Sequence, residues 1–90
     1  MMRAGNAGEI LDGNAAAGLL TDVFDTDVTA LIAVCAGCGA AAPFAETVVE
    51  LDEAAAIVRC RSCTHTLLTV LRQGQEVRVV IGMLGELVRR

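Results

Sequence analysis

Four cysteines in two pairs, Cys35-Ala36-Gly37-Cys38 and Cys60-Arg61-Ser62-Cys63, are the residues of this chain best able to do chemistry, and they form a C-x2-C-x21-C-x2-C pattern. Two residues between cysteines let a tight turn aim both thiolates at one ion, with the turn's backbone N–H groups free to spread the sulfur charge. Two such turns, each ending a strand, complete a tetrahedron of soft donors. Cys35, Cys38, Cys60 and Cys63 are therefore the expected ligands of one structural zinc ion. The spacer of 21 residues slightly exceeds the ~15–20 common between such pairs. A strand-turn-strand excursion tolerates that excess. Gly39, next after Cys38, suits a chain that must leave the turn with a positive φ, which glycine adopts without a Cβ clash.

The same residues admit other chemistries. Iron in a rubredoxin-like site uses the same four thiolates and would make the protein an electron carrier. A redox dithiol opens a helix, and neither turn is followed by a helical pattern. Disulfides are disfavoured in a reducing cytoplasm. That compartment is expected because no apolar leader is visible and the longest apolar run, residues 30–36, is far short of the ~20 residues that span a membrane. Four thiolates also close the coordination shell against a catalytic water. No phosphate loop, HExxH or G-x-S-x-G motif is present, and Asp25/Asp27 and Asp52-Glu53 read as solvated turn residues. His65, the single histidine, reads as an exposed residue or one that touches the ligands from outside. A non-enzymatic protein is expected.

The elements that must hold these turns can be read from periodicity. Residues 1–10 are rich in Gly, Ala and Asn and read as a flexible tail. Residues 11–27 form a helix segment, with the helix itself at about residues 14–24. Asp12 or Asn14 serves as its N-cap, and Ala16, Leu19, Leu20, Val23 and Phe24 fall on one face. So short a helix is marginal alone, and its stripe must dock on the body or on a second chain. From Val28 the period changes to two. Residues 28–34, 46–51, 56–59, 66–72 and 77–81 read as strands, with turns at Asp52-Glu53 and at Gln73-Gly74-Gln75-Glu76. The expected fold is a small mainly-β zinc ribbon of antiparallel strands over residues 28–84, with one short N-terminal α-helix and a C-terminal tail at 85–90, although a short strand would also fit the last eight residues.

Composition agrees with a metal staple. The chain has 90 residues, and 15 of its apolar residues are alanine, so its core is thin for a domain that must fold unaided. With no Trp or Tyr and only Phe24 and Phe44, aromatic cages and base-stacking platforms lack their material. Net charge is −4, unevenly spread: residues 1–56 hold nine of the eleven acids against Arg3 alone, whereas residues 57–90 hold six arginines against Glu76 and Glu86.

The segments Leu11-Asp12-Gly13-Asn14-Ala15-Ala16-Ala17-Gly18-Leu19-Leu20, Asp27-Val28, Cys35-Ala36-Gly37-Cys38-Gly39-Ala40 and Arg59-Cys60-x-x-Cys63 resemble a family of short bacterial zinc-ribbon proteins, a domain of unknown function. The resemblance covers roughly residues 10–82 and implies a zinc ribbon with an N-terminal helix. It implies no activity. Thr64-His65 depart from it, at positions where such proteins often carry Gly or a small polar residue.

Function is then expected on the surface. A protein-interaction or regulatory adaptor would engage an unidentified partner, or a second copy, through the stripe of Leu19, Leu20, Val23 and Phe24 or through a sheet edge at Val77–Ile81. The alternative is a nucleic-acid accessory module in which Arg59, Arg61, Arg72 and Arg78 share one face. No membrane partner is expected.

Overall fold

Short runs of β-branched and small apolar residues favour extended chain over most of this sequence. The computed structural model describes residues 9–13, 17–24, 26–52 and 54–89. Among them are eight strands, one α-helix and two 3-10 turns. Strands β1 (Glu9–Asp12), β4 (Val48–Leu51), β5 (Ala55–Arg59), β6 (Thr66–Gln73) and β7 (Glu76–Ile81) build a five-stranded antiparallel sheet in the order β1-β4-β5-β6-β7. Strands β2 (Ile32–Cys35), β3 (Ala41–Pro43) and β8 (Leu84–Val88) build a second, in the order β3-β2-β8. The result is a small mainly-β fold with a zinc-ribbon-like layout, as the periodicity predicts.

Register explains which face is buried. Leu11 pairs with Val49, Val49 with Val58 and Val58 with Leu68, while Leu51 pairs with Ala56 and Ala56 with Val70. Because side chains alternate, these rows share one face. Val49, Ala56, Val58, Leu68 and Val70 are all buried, in one core with Ala33 and Cys35 of β2, Phe44 and Leu20. The two sheets thus enclose a single apolar layer.

Three expectations need correction. Residues 9–12 are neither tail nor helix, because they pair along β4 as β1. Helix α1 spans Ala17–Phe24; Asp12 lies in β1, and Asn14 and Ala16 lie outside the described residues. Residues 28–34 are not one strand: Val28–Ala30 is a 3-10 turn whose N-cap Asp27 accepts the Thr29 N–H at 3.1 Å, and β2 begins only at Ile32. A local aspartate cap outcompetes the period-2 pattern there. Residues 85–88 are not a tail, because β8 pairs with β2 from Ile32↔Val88 to Cys35↔Leu84, and Arg90 lies outside the described residues. That ladder joins segments some fifty positions apart, and a bulge between Val34 and Cys35 breaks the alternation a reader would look for.

The helix stripe divides on docking. Leu20 is fully buried and Leu19 partly so, and α1 packs on the Val28–Ala30 turn. Val23 and Phe24 remain 42% and 38% exposed. At the turn expected near Asp52, its carboxylate accepts the N–H groups of Ala54 and Ala55 at 2.9 and 2.8 Å.

Gly13 explains the close approach of the first segment to the body. A Cβ built there would lie 1.9 Å from the Phe44 carbonyl oxygen, a separation no side chain can occupy.

Candidate metal centre

Each cysteine pair closes a turn of the same design. After β2, the Gly39 N–H donates to the Cys35 carbonyl at 2.8 Å and the Cys35 N–H to the Ala40 carbonyl at 2.9 Å. After β5, the Thr64 N–H donates to the Cys60 carbonyl and the Cys60 N–H to the His65 carbonyl, both at 2.9 Å. In each turn the residue after the second cysteine takes a positive φ, +79° at Gly39 and +65° at Thr64. Glycine does so freely; for β-branched threonine the left-handed region is an outlier.

The two turns meet across the end of the core. The four sulfurs lie within 4.8 Å of one another, with Cys35 Sγ 3.6 Å from Cys63 Sγ and Cys38 Sγ 3.7 Å from Cys60 Sγ. Those separations are far beyond a disulfide bond, and all four are free thiols. Cys35 and Cys60 are buried, Cys63 is half-buried and Cys38 is exposed. Four cysteine sulfurs so placed can hold one metal ion.

Electrostatics separate the four thiols. Burial raises the Cys60 thiol, yet the backbone N–H groups of Cys63 and Ser62, with the neighbouring Cys38 and Cys63 sulfurs, outweigh it and bring Cys60 down to about 7. The His65 backbone N–H acts to lower Cys63, but burial and the sulfurs of Cys35, Cys38 and Cys60 push it up to about 12. One thiol in the cluster ionises early, and its charge makes the last proton hard to remove.

A family model described as a family of unknown function, DUF6510, matches residues 5–89. The chain belongs to DUF6510. That membership agrees with the domain of unknown function expected from the L-D-G-N-A and C-A-G-C-G segments, and no curated protein and no solved structure matches this DUF6510 chain.

His65 is exposed with Nδ1 3.1 Å from Cys63 Sγ, outside the four-sulfur group but in reach of it. The DUF6510 site has one support that cysteine spacing does not signal. The Ala36 N–H donates to the Met83 carbonyl at 2.7 Å, so the approach to β8 braces the first turn. Of the four arginines considered for nucleic acid, Arg59 is paired with Glu50 at 2.5 Å and Arg78 with Glu76. Arg72 and Arg78 lie on opposite faces of their hairpin, since Arg72 is opposite Val77 and Arg78 follows it. None of the helices among the described residues is long and apolar enough to cross a membrane.

Proposed function

We propose that Cys35, Cys38, Cys60 and Cys63 bind one structural zinc ion and that the protein is a non-enzymatic, cytoplasmic adaptor working through its surface. The observation that carries the reading is the pair of sulfur separations, 3.6 and 3.7 Å, against the ~3.8 Å edge of a tetrahedron with Zn–S bonds of about 2.3 Å. Four thiolates are a donor set that structural zinc uses widely, and they leave no position for a reacting water. Zinc-thiolate binding is worth on the order of 10–16 kcal/mol in small peptides, comparable with the whole stability of a small domain. The metal's role is then to hold the two turns together, and activity belongs to exposed groups.

Val23, Phe24, Val80 and Ile81 supply the exposed apolar surface that an adaptor requires. Ion pairing of Arg59 and Arg78, and the division of Arg72 and Arg78 between two faces, speak against a basic nucleic-acid surface. The test is native mass spectrometry with elemental analysis on protein purified without added metal, repeated after chelation with circular dichroism alongside. One zinc per chain, with sheet signal lost on its removal, is the expected result. Iron with a visible chromophore would move the protein to electron transfer, and a metal-free chain that stays folded would overturn the structural role. Steeply salt-dependent binding to nonspecific DNA or RNA would replace the adaptor with the nucleic-acid module.

A further inference from the structure

Among the described residues, three sheet edges are guarded and one is not. β1 is only four residues long, β3 is three residues long and ends in Pro43, and β8 carries Gly85 and Glu86 beside a bulged ladder. Charge, proline, short length and bulges are the devices by which natural edges resist pairing with another chain. β7 keeps register with β6 through all six of its residues, contains no proline, and its two charges, Glu76 and Arg78, bond each other. It ends in Val80 and Ile81, 52% and 58% exposed.

The ladder also shows which backbone groups face outward. Gln73 and Glu76 flank a two-residue loop and form a hydrogen-bonded pair, so bonding alternates along the hairpin. Farther along, the Gly82 N–H reaches the Leu67 carbonyl at 2.8 Å, and the Arg72 N–H, opposite Val77, turns away to the Ala54 carbonyl at 2.8 Å. Glu76, Arg78 and Val80 therefore direct their backbone groups to β6. Val77, Val79 and Ile81 direct theirs outward, where β7 has no neighbouring strand among the described residues.

The geometry points to a second copy of this chain as the occupant of that edge, with the two β7 strands antiparallel about a two-fold axis at Val79. In this register Val79 faces Val79 of the copy, and Val77 faces Ile81 at either end. Every outward residue meets an outward residue, and each such pair exchanges two backbone hydrogen bonds. On the other face Arg78 lies opposite Val80, and no charge sits directly opposite a like charge. An axis at Arg78 would set the two arginines opposite each other, and an axis at Val77 would leave Val80 and Ile81 uncovered. With one unguarded edge among the described residues, a copy is offered that edge, and pairing like with like closes as a dimer. The inference rests on the adaptor reading and names its partner.

Sedimentation velocity of the full, metal-loaded chain over a concentration series tests it, with amide hydrogen exchange read residue by residue. The mass should double with concentration, and the amides of Val77, Val79 and Ile81 should slow by about tenfold or more while those of Glu76, Arg78 and Val80 stay protected throughout. Val79→Pro deletes one outward N–H and leaves the β6 bonds intact; Ile81→Lys sets a charge at the seam, and it carries the test alone if the proline variant does not fold. Each folded variant should be monomeric with its metal retained. A wild-type chain monomeric at every concentration, a dimer that survives the folded variants, or exchange of the three outward amides that ignores concentration would each overturn the pairing. Metal content of the same samples keeps the readings apart, since a metal-loaded monomer removes the dimer and leaves the zinc adaptor standing.

Discussion

Thr64 is a β-branched residue doing what Gly39 does in the matching turn. Its φ of +65° costs about 1–2 kcal/mol in an L-residue, against about 0.5–1 kcal/mol that glycine forfeits in unfolded-chain entropy. Thr64→Gly should therefore stabilise the protein by about 0.5–1 kcal/mol, read as a higher denaturant midpoint at constant metal content; an unchanged or lower midpoint would show that the turn carries no strain. Protons act on the same residues. The metal-free chain loses its sheet, so its thiols return to the ordinary range of about 8.5 and are protonated below it. Metal entry then releases a proton from each thiol, and affinity should fall by ~1.4 kcal/mol per pH unit for every proton released. Competition against a chelator at two pH values below that range measures the slope, and a pH-independent affinity would contradict thiolate ligation. The cysteines were legible because their spacing is local. The strain at Thr64 was not, since a residue type alone does not reveal its φ.

At the scale of elements, β8 is the part that local pattern conceals. It pairs with β2, and its Leu84 and Leu87 pack against the core while the neighbouring Met83 carbonyl holds the Ala36 N–H. Truncation after Ile81 should cost about 3 kcal/mol or more, from two partly buried leucines and an orphaned ladder on β2. Thermal denaturation with metal analysis checks this, and a truncated chain that melts like the full one would return those residues to the status of a tail. Strands β4 to β7 were readable because neighbours in sequence are neighbours in the sheet, joined at Asp52 and at Gly74-Gln75. The 3-10 turn at Val28–Ala30 was hidden by alternation that continues into β2, and β1 by the polar company of its few apolar residues.

At the scale of the whole molecule, a core of twelve buried apolar residues among those described, two of them cysteines of the cluster, leaves folding dependent on that cluster. Removing all four thiols by Cys→Ser should abolish cooperative unfolding and sheet signal, measured by circular dichroism and urea titration. A quadruple variant that unfolds cooperatively would show that packing alone suffices. By itself the sequence determined the four-cysteine cluster, the mainly-β class, the short helix and the pairing of sequential strands, because each depends on spacing or periodicity within a few residues. Only the tertiary structure decided that β1 joins the sheet through β4, that β8 closes the second sheet and braces the first cysteine turn, and that β7 is left as an open edge among the described residues. Those outcomes depend on which distant segments meet, a choice made by shared burial of apolar faces and by satisfaction of backbone groups, and neither is written in any local run of residues.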